Sequence, residues 1–311
     1  MNRTVVAFIL LALLVPASWA ATLGTAANGV IPSDVQQIIA VDYRRLADSP
    51  TALALKARVL PDNLKQFEKA LSNMGIDVER DVDHLTFASF RTTNTGVRII
   101  GIAQGQFARA KVLKRMRAQK IRPTKMRSSW LYPMSGGLTL TFLDDWTMLF
   151  GDNTAVKTAL ETRDGEAQSL NYNTRITGLI EDVDSGAVWS VLDAQGTQHL
   201  MRSALGDASR LADYDTVKKR LLGSTYTLTF DQGVKFDLDV LTSDSMTAAT
   251  LSSLVKAGMV FKKMNASGVE KLALDGVTVD SDSDKLRVHF RSDDKQFQSL
   301  LHSDLFTAIS R

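Results

Sequence analysis

Residues 224–264 read STYTLTFDQGVKFDLDVLTSDSMTAATLSSLVKAGMVFKKM. Tyr226, Leu228 and Phe230 alternate with Thr225, Thr227 and Thr229. Asp231-Gln232-Gly233 marks a turn, and Val234, Phe236, Leu238 and Val240 then alternate with Lys235, Asp237 and Asp239. Period two on both arms predicts a β-hairpin whose strands each bury one face. Ser243 and Asp244 suit a helix N-cap, and Leu251, Leu254, Val255, Gly258 and Met259 recur at the three-and-four spacing of a helix. Met246 to Val255 carry no charge, which implies cover on two sides of that helix, by the other half of the chain or as a lid over an apolar groove.

Further versions of this unit flank it. Val35–Val41 predicts a strand ending in Asp42, followed by helical patterns over Tyr43–Arg58 and Pro61–Met74. Leu85–Phe90 and Val97–Ala103 predict a hairpin, and Phe107–Gln119 a helix with Phe107, Ala110, Leu113 and Met116 on one stripe. Trp130–Tyr132, Leu138–Phe142 and Thr147–Phe150 predict short strands, and Asp152 caps a helix through Leu160. The second half repeats the order: Val188–Leu192 ends in Asp193, Val277–Val279 and Leu286–Phe290 form a hairpin, and Asp293 lies in the cap of the last helix. Asp42 thus matches Asp193, the turn at Gly96 matches that at Gly233, Asp144 matches Asp282, and Asp152 matches Asp293. The expected fold is α+β: two similar halves, each of antiparallel hairpins with helices packed on one sheet face. The halves are placed at residues 34–170 and 171–311, after a signal peptide over 1–20 and a small, polar lead-in over 21–33. Thr139, Thr141, Thr225, Thr227 and Thr229 are expected on a solvated sheet face, with a groove lining as the alternative.

The signal peptide rests on Arg3, the unbroken apolar run Val5–Val15, Pro16, and small residues at Ser18 and Ala20, with cleavage after Ala20. That run is too short to span a bilayer as a helix, and no later stretch approaches the required length. A soluble chain exported to the periplasm or the extracellular space is expected. The chain has no cysteine, so thiol catalysis, cysteine metal sites and disulfide staples are excluded.

Charge is distributed unevenly. The formal net charge is +3, or +2 once Arg3 is removed, yet the sixty residues from His84 to Leu143 contain no Asp or Glu and eleven Lys or Arg. Nine of these are Arg109, Lys111, Lys114, Arg115, Arg117, Lys120, Arg122, Lys125 and Arg127. The rest of the chain therefore sums to −8 (3 minus 11). Helical spacing puts Lys111, Lys114 and Arg115 on one face. Such a patch fits anionic lipid, anionic glycan or an acidic protein; the competing expectation is neutralisation by acids of the second half. Export, and the lack of aromatics interleaved in the patch, argue against nucleic acid.

Other candidates carry less chemistry. Asp280-x-Asp282-x-Asp284 copies the start of a calcium loop, but Lys285 and Arg291 stand where Gly and Glu are required, so a hairpin turn is expected. His84, His199, His289 and His302 show no ligand spacing, and no cofactor or metal site is assigned. Glu181, Asp182 and Asp184 cluster before a strand and read as solvated carboxylates. No hydrolase, phosphate-loop or dinucleotide motif occurs, and no catalytic residue is named.

The segment Ile31-Pro32-Ser33-Asp34, the strand into Val41-Asp42, and Gly105-Gln106-Phe107 opening a helix carry a resemblance, as does Phe142-Leu143-Asp144-Asp145 leading to Phe150-Gly151-Asp152. Over most of the mature chain they resemble a loose group of exported bacterial proteins of unknown function with tandem strand–strand–helix units. The resemblance implies no activity. The leading expectation is a non-enzymatic exported binding or scaffold protein acting through its basic face. The alternative is a periplasmic carrier of an apolar ligand held between sheet and helices, and a hydrolase with a scattered site ranks last.

Overall fold

The structure is a computed structural model that describes residues 23–92, 96–183, 186–206 and 214–303. The expected signal peptide, Thr93–Thr95 of one turn, Asp184 of the acidic cluster, and the final residues of the last helix pattern lie outside the described residues. Twelve strands form a single antiparallel sheet in the order β11-β12-β10-β9-β8-β1-β2-β3-β7-β6-β5-β4. The strands are β1 Val35–Asp42, β2 Val82–Thr92, β3 Gly96–Gly105, β4 Thr124–Met126, β5 Ser129–Pro133, β6 Thr139–Phe142 and β7 Thr147–Gly151. The second half adds β8 Val188–Asp193, β9 Leu221–Thr229, β10 Val234–Thr242, β11 Val277–Asp282 and β12 Lys285–Ser292.

The order shows two similar halves. The run β1-β2-β3-β7-β6 and the run β8-β9-β10-β12-β11 are the same connectivity, joined head to head where β1 pairs antiparallel with β8. Ile38 opposes Val191 and Ala40 opposes Trp189 at this seam, and all four are buried. Asp42 and Asp193 end the two seam strands, and each accepts a hydrogen bond from the backbone N–H three residues on, of Arg45 and Gly196. The matched caps at Asp152 and Asp293 do the same for Ala155 and Gln296.

Strand alternation assigns the faces. Leu85, Phe87, Met148, Phe150, Leu238, Val240 and Leu286 point to one face. It is covered by α2 Tyr43–Ala47, α3 Pro50–Val59, α4 Asp62–Asn73, α5 Val78–Asp81 and α6 Arg109–Ala118, and in the second half by α9 Ala194–Leu205, α10 Tyr214–Lys218, α11 Ser245–Asn265 and α12 Gly268–Asp275. Ile38, Ala88, Phe90, Ile102, Leu149, Trp189 and Val191 point to the other face, beneath α1 Thr25–Val30, α7 Asn153–Arg163 and α8 Thr174–Val183. The antiparallel α+β layout is therefore built as the hairpin patterns imply, with a second helical layer added over the first half and the β8–β9 side of the seam.

That layer breaks the symmetry. α7 follows β7 onto the second face, where Ala155, Val156, Ala159 and Leu160 are fully buried. Its counterpart α13, Asp294–Leu301, follows β12 onto the first face and packs Phe297, Leu300 and Leu301 beside Val234, Leu228 and Phe290. The reason is on the strands: on the second face β10 and β12 present Asp237, Asp239, Arg287 and His289, whose burial under a helix would be costly.

Several expectations change. The helix over Tyr43–Arg58 is two helices, because Ser49 caps anew and Pro50 at the first turn cannot continue the preceding one. Thr139 and Thr141 are buried under α7 instead of solvated, while Thr225 and Thr227 remain partly exposed. α6 starts at Arg109 and buries Val112 and Met116, leaving Ala110 exposed. α11 packs on its own half, against β10, β12 and β11, and covers neither the other half nor a groove. The Asp280–Asp284 segment is a tight hairpin turn with Ser283 at φ 53°, and Asp282 pairs with Arg287 at 3.0 Å.

Candidate anionic-partner surface

The basic residues gather at the β4 end of the sheet. α6 turns Val112 and Met116 inward, which leaves Lys111, Lys114, Arg115 and Arg117 exposed. Lys120 then takes φ 58°, the left-handed conformation that ends a helix, and Arg122 follows in the connection to β4. Trp130–Tyr132, expected as a short strand, lies in β5. It forms a hairpin with β4, and Arg127 fills the turn at φ 51° where glycine or asparagine is the usual choice. A left-handed arginine carries no sequence signal of its own, so this turn was not legible.

Neutralisation is local and incomplete. Arg109 pairs with Asp145 at 3.5 Å and lies 5.9 Å from the Phe142 ring centroid. Arg127 pairs with Asp164 at 3.5 Å and with Glu166. All three acids belong to the first half, so the expected shielding by acids of the second half is replaced by these contacts. Among the described residues, Lys111, Lys114, Arg115, Arg117, Lys120, Arg122 and Lys125 have no carboxylate within ion-pair distance. Outside the nine, Arg98 pairs with Asp152 at 3.4 Å, and Arg91 is held by Asp193 at 2.6 Å and Asp34 at 3.0 Å. Burial opposes the Arg91 charge, but those two carboxylates outweigh it and raise the guanidinium above its ordinary range.

Two exposed indoles flank the patch. Trp130 sits opposite Lys125 across the β4–β5 hairpin, with the ammonium 5.8 Å from the ring centroid. Trp146, also exposed, follows Asp145 in the β6–β7 turn. Burial raises the Tyr132 phenol, and the Arg109 and Arg117 cations partly offset that. The patch therefore does carry aromatics at its rim. They were missed because Trp130 and Trp146 are separated from α6 in sequence and reach it only through sheet pairing.

Arg115 has a second task. Its guanidinium crosses Gly75, which ends the α4 segment at φ 83°; a Cβ there would meet Arg115 Nη1 at 1.8 Å. The positive φ is what calls for glycine here; the exposed end of Arg115 could swing aside.

Three further concavities bear on the alternatives. On the second face, polar grooves of about 330 and 270 Å³ run beside α8, lined among others by Asp182, Thr225, Asp239 and, in the second, Asp237 and His289. His289 Nδ1 lies 2.5 Å from Asp237 Oδ1, and Arg291 reaches the same oxygen at 2.6 Å. Burial pushes the Asp237 carboxyl up, but hydrogen bonds from His289 and Arg291 outweigh it and hold it below its usual range. Under α4, an apolar pocket of about 40 Å³ is lined by Leu64, Phe67, Leu85, Phe87, Met148 and Phe150, with the Phe67 and Phe150 rings stacked at 4.9 Å. Drug-sized ligands occupy roughly 300 Å³ or more, so this pocket does not hold a lipid as it stands. Among the described residues no cluster of His, Asp or Glu could hold a metal ion, and no helix is long and apolar enough to cross a membrane.

No protein-family model matches the chain, and no curated protein matches it in sequence. Similarity is found to solved structures of TP0453. Crystal form III superposes with a TM-score of 0.52 at 9% identity, covering 88% of this chain and 96% of that one. Crystal form I gives 0.50 at 10% identity, covering 92% of this chain and 100% of that one. At such identity the likeness concerns the fold alone.

Proposed function

We propose that this is an exported, non-enzymatic binding or scaffold protein that engages an anionic component of the cell envelope through the basic face of α6 and the β4–β5 hairpin. The observation that carries this is the set of seven cations, Lys111 to Lys125, without a carboxylate partner, beside exposed Trp130 and Trp146. Unpaired cations on a solvated surface attract anions at long range, and the indoles supply apolar contact once the surfaces meet. The carrier reading draws less support, because the apolar pocket under α4 is about 40 Å³.

Reversing Lys111 and Lys114 to Glu tests the proposal. Both are exposed, whereas Arg115 also packs on Gly75, so its reversal would mix binding with folding. Each basic residue near an anionic membrane contributes on the order of 1 kcal/mol. The double reversal is therefore expected to weaken co-sedimentation with anionic envelope fragments by well over tenfold, without lowering the melting temperature. Binding by the wild type is expected to fade between about 0.1 and 1 M salt, as the screening length falls from about 10 to about 3 Å. Binding that is unchanged in both respects removes the basis for the proposal.

A further inference from the structure

We propose that the outer arc of α11 is a second contact, which lies in the headgroup region of an anionic lipid bilayer. α11 occupies the place in the second half that α6 holds in the first, but it runs from Ser245 to Asn265 and its surface is the reverse in character. Its inward side buries Ala248, Leu251 and Leu254. Its outward side leaves Met246 76%, Val260 63%, Phe261 52% and Met264 76% exposed. With Thr250, Ser253 and Ala257, these fall within an arc of about 100° at 3.6 residues per turn, its large apolar side chains concentrated in the C-terminal half from Val260 to Met264. No charge lies inside the arc, and past the next turn α12 leaves Val269 and Leu272 exposed as well. A helix apolar on both sides is a covered helix, and nothing in this chain's described residues covers this one.

Charge identifies the cover. α11 has no Asp or Glu, and Lys256 and Lys263 border the arc on one side. The acids of α12 are engaged: Glu270 is buried in a capping box with Ser267, and Asp275 pairs with Lys263. An apolar strip of Met, Val and Phe edged by lysines fits the boundary between acyl chains and anionic headgroups, with lysine stems lying along the apolar surface. A second copy of this chain fits less well, because packing two such arcs together would bring the Lys256 ammonium groups into proximity, and neither α11 carries an acid to meet them; Lys263 is already held by Asp275. The contact is separate from the basic face. Five strand steps separate β3 from β10, and at roughly 20–25° of twist per step the outer sides of α6 and α11 diverge by about 100°.

The chain has no cysteine, so Met264→Cys can carry an environment-sensitive fluorophore as a unique probe, with Thr278→Cys on the opposite sheet face as control. With vesicles of phosphatidylcholine mixed with phosphatidylglycerol, we expect a blue shift and quenching by brominated lipid at position 264 and neither at 278. Val260→Glu with Phe261→Glu should lower vesicle partitioning by about tenfold or more, because the lost insertion is that of two apolar side chains. In the Lys111→Glu/Lys114→Glu protein the 264 signal should reach the same amplitude at saturating lipid, displaced only to higher lipid concentration; a loss of amplitude at saturation overturns the inference. Vesicles that sediment the protein while leaving the 264 probe unchanged overturn the inference and leave the basic-face reading intact. A shift that needs no vesicles and grows with protein concentration overturns it in favour of self-association.

Discussion

Lys120 shows how a single backbone angle separates function from stability. It ends α6 at φ 58°, a conformation that costs a residue with a Cβ roughly 1 kcal/mol and glycine little. Lys120→Gly is therefore expected to raise the urea-unfolding free energy by about 0.5–1 kcal/mol while removing one cation from the patch. A variant no more stable than the wild type would show that Lys120 gains an offsetting contact. Asp244 is the N-cap of α11. The backbone N–H of Thr247, then the hydroxyls of Ser243 and Thr247, hold its carboxyl down from 3.8 to about 2. The sign follows: a depressed folded-state pKa means that this stabilisation is complete above about pH 4 and is lost as pH falls through about 2. The protection of the first-turn amides of α11, their exchange relative to that of an unfolded chain at the same pH, should fall over that window. Asp244→Ala should abolish that acid response and speed exchange at neutral pH. A response that survives the substitution points to another group.

At the scale of elements, the opposed placement of α7 and α13 decides what each half can do. Under α7 the Thr141 hydroxyl is fully buried and has no hydrogen-bond partner among the described residues. A buried unsatisfied donor costs about 1–3 kcal/mol, and valine is nearly the same shape. Thr141→Val is expected to stabilise the protein by about 1 kcal/mol, seen as a higher urea midpoint with an unchanged slope; destabilisation would mean that the hydroxyl has a partner. In the second half the equivalent face keeps Asp237, Asp239, Arg287 and His289 open beside α8, because α13 sits elsewhere. The polar residues of β10 and β12 and the absence of a helix over them thus go together, and leave a polar groove where the first half has core.

Across the whole molecule, the β1–β8 seam makes two repeated units into one sheet. Trp189 is fully buried at this seam, opposite Ala40, and Arg91 ties β2 to Asp193 and Gln195 across it. Trp189→Ala is expected to cost about 3–5 kcal/mol and to lower both halves together. Amide exchange read separately over the strands before and after the seam checks this. Faster exchange confined to one side would mean that the halves unfold independently.

The sequence alone determined the local periods: hairpins around Gly96 and Gly233, strands ending at Asp42 and Asp193, caps at Asp152 and Asp293, and hence two similar α+β halves. These are properties of neighbours in the chain, where alternation and capping leave a direct trace. It also determined the acid-free basic stretch, because charge composition needs no coordinates. Only the tertiary structure decided which acids meet those bases, that Trp130 and Trp146 join them, and that α7 and α13 leave by opposite faces. It alone decided that Met246, Val260, Phe261 and Met264 stay uncovered. An apolar residue in a helix reads the same whether its partner is a strand, another molecule or water. The choice between these is made by the packing of elements far apart in sequence, which no local pattern records.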